Sequence, residues 1–222
     1  MGELRRLSWK FLRMMPLAAL IVMMSLYVVR NGVSTIEALA EGAAHRPWLT
    51  AAAFMGLYLL KSVSIGLPFA LLYIGVGSIF PLAWALLINA CGIVVNMQVP
   101  YLVGRYAGKS AVERLVGKFP RLGKLESLSR NSSFLFAFTV KFIGKIPHEM
   151  TNIALGSLRV PYPAYVGGGL LGLMPTMIAT TTVGTSLDNP GSPQFIISVG
   201  IVVILTVVSL VLYRRQVGSN SR

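Results

Sequence analysis

The chain has 222 residues, of which 55% are hydrophobic and only 12% charged, and its mean hydropathy is +0.70. A soluble domain carries about 25% charged residues, so the composition excludes an ordinary soluble globule and points to a membrane. The net charge of +13 does not indicate a nucleic-acid partner, because fourteen of the twenty basic residues lie in the N-terminal tail, in 105–130 and in the tail from Arg214. Each of these clusters flanks an apolar run. That is the positive-inside pattern of membrane topology, and it also favours anionic lipid headgroups.

The first apolar run is 14–29, preceded by Arg5, Arg6, Lys10 and Arg13. It has the charge pattern of a signal peptide. The nearest small-x-small site, Ala38-Leu39-Ala40, lies well beyond the run, so an uncleaved span running from inside to outside is expected. Ser34 and Glu37 then have the spacing of a capping box, which predicts a short amphipathic helix on the outer surface.

Residues 48–80 are apolar but broken by Lys61, Gly66-Leu67-Pro68, Gly75 and Gly77. The next run, 82–103, is long enough to span a bilayer. It must end inside, since residues 105–131 hold seven basic and two acidic side chains. It therefore starts outside, and 48–80 must leave and return on the outer face as a re-entrant hairpin. Residues 109–130 read as an amphipathic interfacial segment. Phe134–Arg159 repeats the hairpin from the inside, 162–183 spans outward, and the loop from Asp188 to Pro193 has no basic residue. Run 194–213 returns to Arg214-Arg215.

The expected fold is thus an all-α integral membrane protein, an inverted repeat of two re-entrant helical hairpins with flanking transmembrane helices and both termini cytoplasmic. The expected organisation is 1–47 for the first span and outer segment, 48–186 for the repeat, and 187–222 for the last span and basic tail.

The two hairpins echo each other: 67–78 aligns with 146–157 at an offset of 79 residues, with Pro68/Pro147, Ile74/Ile153, Gly77/Gly156 and Ser78/Ser157 coinciding. Broken apolar segments at matching places in two halves point to a transporter's binding site. Pro68 and Pro147 are suited to open half-helices, whose N-termini favour anions. Gly75, Gly77 and Gly156 join them as hairpin-shaping residues. The second copy also carries Lys141, Lys145 and Glu149, a combination suited to a phosphate headgroup. Lys145 and Glu149 are four apart and suited to pair on a helix face. Glu149 is equally a candidate proton carrier, since ionisable groups inside membrane segments usually face a cavity or an interior; His148 is the weaker candidate and reads rather as an ordinary polar residue at the interface.

Asn152 and Thr151 can satisfy freed backbone groups or touch a ligand, and Arg105 is a candidate for positioning one. Tyr73 stands opposite Asn152 in the repeat and reads as packing. Lys61 is expected to snorkel to the outer interface in preference to placing a cation at the first hairpin, Cys91 to pack in the interior, and Pro100 to kink its span. Asn89, Asn96 and Gln98 suit interhelical hydrogen bonds, and Gly168-x-x-x-Gly172 suits close helix contact. Neither a metal-ligand spacing nor a Ser-His-Asp arrangement stands out, so no metal, cofactor or enzymatic activity is expected.

Four elements in order then carry a family resemblance: Leu67-Pro68 followed by Tyr73-x-Gly75-x-Gly77-x-x-Phe80; Tyr101-x-x-Gly104-Arg105-x-x-Gly108; Lys141-x-x-x-x-x-Pro147-x-x-x-x-Asn152-x-x-x-Gly156; and Gly172-x-x-Pro175. Together they resemble the DedA / SNARE-associated Golgi protein family, the VTT domain, over about 48–186. The resemblance implies two facing re-entrant hairpins and a role in moving lipids across bilayers, polyprenyl-phosphate carriers in bacteria and phospholipids in eukaryotes, with proton coupling in some bacterial members. Lys141 stands where the family usually has arginine and Gly144 where it has proline. The acidic residues of the DedA branch are absent from the first hairpin, which places the chain nearer the broader VTT group. The expectation is a lipid translocase in a bacterial plasma membrane, with a phospholipid or polyprenyl-phosphate lipid and a proton as partners and an oligomer compatible with the fold. The alternatives are an ion-coupled carrier of a small anionic solute and a non-transporting membrane organiser.

Overall fold

The computed structural model describes residue 41 and residues 45–64, 67–106, 132–143, 147–187 and 189–218, with side chains through residue 208 and at 211. The first span at 14–29, the Ser34–Glu37 segment, the amphipathic stretch 109–130 and Lys145 lie outside the described residues. Seven helices follow one another and no strand occurs among the described residues: α1 (Pro47–Val63), α2 (Phe69–Ile79), α3 (Leu82–Tyr106), α4 (Ser133–Ile143), α5 (His148–Ser157), α6 (Tyr162–Thr185) and α7 (Pro193–Gly218).

Proline sets most of these boundaries. Pro47 is the first residue of α1, where a missing N–H costs nothing. Pro68, Pro147 and Pro161 are the N-caps of α2, α5 and α6. A proline pushes the residue before it out of the helical region, so the preceding arm has to stop. The half-helices thus open one residue after the prolines. The far end of α5 closes with Val160 N–H on the Leu155 carbonyl and Arg159 N–H on that of Gly156. Arg159 takes a left-handed φ of 55°, the turn that ends a helix with its last carbonyls satisfied. Pro100 does not end α3, which continues through it to Tyr106.

The packing of the two halves corresponds, with an exchange. The first arm of each hairpin packs on the long helix of its own half, α1 on α3 and α4 on α6. The second arm packs on the long helix of the other half, α2 on α6 and α5 on α3. The two arms of one hairpin touch each other far less. Matching glycines make these crossings possible. A Cβ on Gly77 would strike the Thr181 carbonyl and one on Gly184 the Ile74 carbonyl; a Cβ on Gly156 would strike the Tyr101 carbonyl and one on Gly104 the Ile153 carbonyl. Each residue of the first crossing has its counterpart 79 or 80 positions away in the second.

A polar tie joins the first half to α6. Tyr58 donates its hydroxyl to Asn89 Oδ1 at 2.8 Å, and Asn89 Nδ2 donates to Thr181 Oγ1 at 2.8 Å. Asn96 donates to the Tyr58 carbonyl and Tyr162 to Gln98, as the polar positions in this span lead one to expect. In the second half, Gly168 and Gly172 let α4 lie directly on α6.

The core holds Phe54, Tyr58, Ile93, Met97, Phe136 and Tyr165, while Trp48, Trp84, Leu87, Val103, Ile197 and Ile204 are exposed on the outside. Such an apolar exterior suits lipid rather than water. Helices α3 and α6 are long and apolar enough to cross a membrane. Cys91, expected in the interior, is exposed: its neighbour Gly92 faces Tyr58, and one residue along a helix turns the side chain about 100° away.

Candidate anion-binding site

The half-helices α2 and α5 meet by their N-termini. Phe69 and His148 are their first residues, and the two rings lie edge to face at 4.9 Å and 88°. Neither N-terminus has a side-chain cap. Each therefore presents bare N–H donors and a partial positive charge of about +0.5.

Two lysines converge on this junction from the first arms. Lys61 on α1 and Lys141 on α4 are both two residues before the end of their helix and both are buried, at 4% and 2% exposure. Lys141 stays with its own hairpin. Its ammonium donates to Asn152 Oδ1 and to Thr151 Oγ1, the latter at 2.9 Å. It also reaches the His148 carbonyl at 3.5 Å and lies 3.4 Å from His148 Nδ1. Gly172 lets the α4 backbone at Lys141 approach α6, and Gly169 lies against the lysine stem.

Lys61 crosses to the other hairpin and pairs with the Glu149 carboxylate, while also reaching the Ser64 carbonyl of its own at 3.5 Å, with its ammonium 4.8 Å from the centre of the Phe69 ring. The residues of its own hairpin matching Thr151 and Asn152 are Leu72 and Tyr73. Leucine offers no acceptor, and the buried Tyr73 hydroxyl makes no hydrogen bond. The nearest strong acceptor therefore lies across the junction.

Among the described residues the site so built holds two ammonium groups and one carboxylate. Glu149 pairs directly with Lys61, and the hydrogen bonds of Lys141 go to neutral acceptors. The Asn152 amide nitrogen is buried without a partner, because its oxygen is spent on Lys141. Buried polar groups are nearly always satisfied, so this unmatched donor beside the Lys141 ammonium can take an acceptor.

The sequence-predicted residues separate on this geometry. Lys141, Glu149, Asn152 and His148 come together, with His148 half-buried against Phe69 rather than at an interface. Thr151 donates to the His148 carbonyl, the backbone role expected of it. Pro68 and Pro147 open the half-helices, Gly77 and Gly156 form the crossings, and Gly75 is buried within α2. Arg105 is elsewhere. It is exposed, donates to the Tyr101 hydroxyl at 2.8 Å, and its backbone abuts Gly156, about 10 Å along α5 from Glu149 at 1.5 Å per residue. Lys61 is the residue that sequence reasoning misplaced, since it is buried in the site and does not snorkel. Its signal was the offset of 80 to Lys141, one more than that between the prolines.

The VTT domain family matches residues 67–186, more than half of the chain. The chain belongs to the VTT-domain family, the domain shared by DedA and SNARE-associated Golgi proteins. With two spanning-length apolar helices and an apolar exterior, this VTT-domain protein is a membrane protein, consistent with a transporter-like role. The VTT match takes in α2 through α6 and with them Lys141, Glu149 and Asn152. It starts after α1, so Lys61 reaches into the VTT domain from a helix before it. No curated protein and no solved structure matches the chain.

Proposed function

We propose that this protein is a lipid translocase of the flippase or scramblase kind, moving a phosphate-bearing lipid between leaflets without enzymatic chemistry. The observation that carries the reading is the excess of positive charge, among the described residues, buried where two uncapped helix N-termini meet: Lys61 and Lys141 against Glu149. A phosphate, whether of a phospholipid or a polyprenyl-phosphate lipid, is the group that such a junction recruits.

Two further observations favour a lipid path. Helices α2 and α5, placed N-terminus to N-terminus, have 11 and 10 residues. At 1.5 Å per residue they add to roughly 30 Å, the thickness of the hydrocarbon core. Two re-entrant hairpins that enter from opposite faces and meet at mid-depth would have this length, and the exchanged packing of α2 and α5 is what an inverted repeat produces. An apolar cleft of about 600 Å³ also opens between α6 and α7, lined by Pro175, Ile178, Ala179, Thr182, Ile197 and Ile201, a surface suited to acyl chains. The basic segments favour, in this reading, a bacterial plasma membrane with both termini on its cytoplasmic side.

The test is reconstitution in liposomes containing headgroup-labelled lipids, with and without a pH gradient. Labelled lipid is expected to change leaflet faster than in empty liposomes, and Lys141→Ala to abolish the gain. No movement above empty liposomes would overturn the reading. Glu149 and His148 are the proton-carrying candidates, and a Glu149→Gln protein that still responds fully to the gradient removes Glu149 from that role.

A further inference from the structure

We propose that Tyr73 is a ligand-binding residue: its hydroxyl donates to an oxygen of the same phosphate headgroup that Lys141 and Asn152 hold, so that the bound ligand bridges the tips of the two hairpins. The inference deepens the proposed function and rests on its placement of the ligand at Lys141.

Tyr73 is 3% exposed and Asn152 is fully buried. Each has a polar atom without a partner, the hydroxyl of one and the amide nitrogen of the other. The two residues hold the same place in their half-helices. Tyr73 is four residues past Phe69, the first of α2, and Asn152 is four past His148, the first of α5. A helical side chain leans toward the N-terminus of its helix, so both lean back to the junction. The Tyr73 ring stacks on that of Phe69 at 5.5 Å and 13°, and Phe69 in turn meets His148 across the junction. Asn152 leans onto the Lys141 ammonium. Two unpartnered donors, one from each hairpin, thus flank the meeting point of two uncapped N-termini.

A buried hydroxyl or amide N–H left unmatched is costly. Phenylalanine at 73 would pack against Phe69 without that cost. Lys61 does not use the Tyr73 hydroxyl, since it pairs with Glu149. A phosphate headgroup supplies several acceptor oxygens, and these are what the two donors lack. A third unpartnered atom among the described residues, Asn96 Oδ1, is of the other kind. It is an acceptor on α3 whose amide is already given to the Tyr58 carbonyl, and it repels an anion's oxygens.

The contact has opposite effects without and with ligand. Tyr73→Phe removes only the hydroxyl. Without lipid it relieves an unmatched group, so the thermal midpoint should hold or rise. With lipid it removes a hydrogen bond to a charged acceptor, so binding should weaken about tenfold, the change that roughly 1.4 kcal/mol produces. Tyr58→Phe is the comparison, because the Tyr58 hydroxyl is already bonded to Asn89. Its midpoint should fall and its binding should stay as it was.

The experiment measures binding of water-soluble dihexanoyl phosphatidylglycerol to the full chain in detergent, together with the thermal midpoint before lipid is added. Weaker binding by Tyr73→Phe at an unchanged or raised midpoint is the expected result, and Lys141→Ala, on the other hairpin, should weaken the same probe. A Tyr73→Phe protein that binds like the unmodified one would overturn the inference. So would a lowered midpoint, which would give the hydroxyl a structural partner instead, or an equal loss of binding in Tyr58→Phe. An unmodified protein that binds no probe, or a Lys141→Ala protein that binds it unchanged, would overturn the placement of the ligand and the inference with it. Glycerophosphoglycerol, the deacylated headgroup, separates the two sources of the same chemistry. Weak binding supports a lipid ligand. Binding as tight as the lipid's, with the same loss in Tyr73→Phe, keeps the contact and overturns the lipid. Lipid that binds through Tyr73 yet never changes leaflet would sink the transport reading and leave the contact standing.

Discussion

Lys61 and Lys141 hold the same place in the two halves, 80 residues apart, and bond in opposite ways. Lys141 turns to the half-helix of its own hairpin, and Lys61 reaches across 88 residues of sequence to Glu149 on the other. The difference follows from what each half-helix offers. Thr151 and Asn152 provide acceptors beside Lys141, whereas Leu72 and Tyr73 leave Lys61 none. The two hairpins are therefore joined at their tips by one ion pair that the repeat does not duplicate.

Breaking that pair should be costly and removing it whole should not. Taking away one partner of a buried pair leaves an uncompensated charge and typically costs about 3–5 kcal/mol, whereas an apolar pair of similar size is often neutral. Lys61→Met and Glu149→Leu should each lower the thermal midpoint of the detergent-solubilised protein strongly. The double substitution should recover most of the loss. Additive losses in this cycle would mean that the two side chains are not coupled.

The matched crossings make a prediction about glycine. Gly77→Ala, Gly184→Ala, Gly104→Ala and Gly156→Ala each drive a methyl group into a backbone carbonyl of the facing helix, which cannot turn aside as a side chain can. Losses of about 1–3 kcal/mol are expected from overpacking of this kind. Gly56 lies inside α1 with nothing within 4 Å of its added Cβ. Gly56→Ala should be neutral or stabilising by up to about 1 kcal/mol through helix propensity. Thermal midpoints of the five variants, measured side by side, check the order.

How much of this could be read from the sequence depended on how local the cause was. The bounds of α3, α6 and α7 are close to those of the apolar runs, because a long apolar run is itself the reason for a spanning-length helix. The hairpin breaks were legible because Pro68 and Pro147 act on their immediate neighbours. The bonding of Lys61 was not, since a lone lysine near the end of an apolar run ordinarily snorkels and its partner is fixed only by the packing of two hairpins. Arg105 looked like a site residue because a family element carries it, yet the register of α5 on α3 sets it beside Gly156 and away from Glu149. The face of Cys91 was hidden for another reason. Helix α3 is apolar nearly all round, so no periodicity separates the side that meets protein from the side that meets lipid.

That outward face can be checked chemically. Cys91 is the single cysteine of the chain and is exposed on α3. A lipid-soluble maleimide should label it in the folded protein in liposomes, and a charged maleimide should label it much more slowly. Cys91→Ser should change the thermal midpoint little, within the roughly 0.5 kcal/mol typical of surface sites. Labelling that requires denaturation would put the thiol back in the interior.

The re-entrant geometry expected of the hairpins would have its own signature in a Cys91→Ser background. Arg46 and Pro81 flank the first hairpin and are exposed, whereas Ser64 at its tip is buried. Single cysteines at Arg46 and Pro81 should react with a membrane-impermeant reagent from one face of the bilayer. A cysteine at Ser64 should be shielded from both faces if the hairpin is re-entrant, since its tip would then end within the membrane against the other hairpin. At the second hairpin, cysteines at Ser132 and Tyr162 should react from the opposite face. If α1 and α2 instead cross fully, the tip emerges in water and Ser64→Cys reacts from the side opposite to Arg46. The pattern of four reactive positions divided between two faces, with a silent tip, follows only when the two half-helices enter from opposite sides and meet within the membrane.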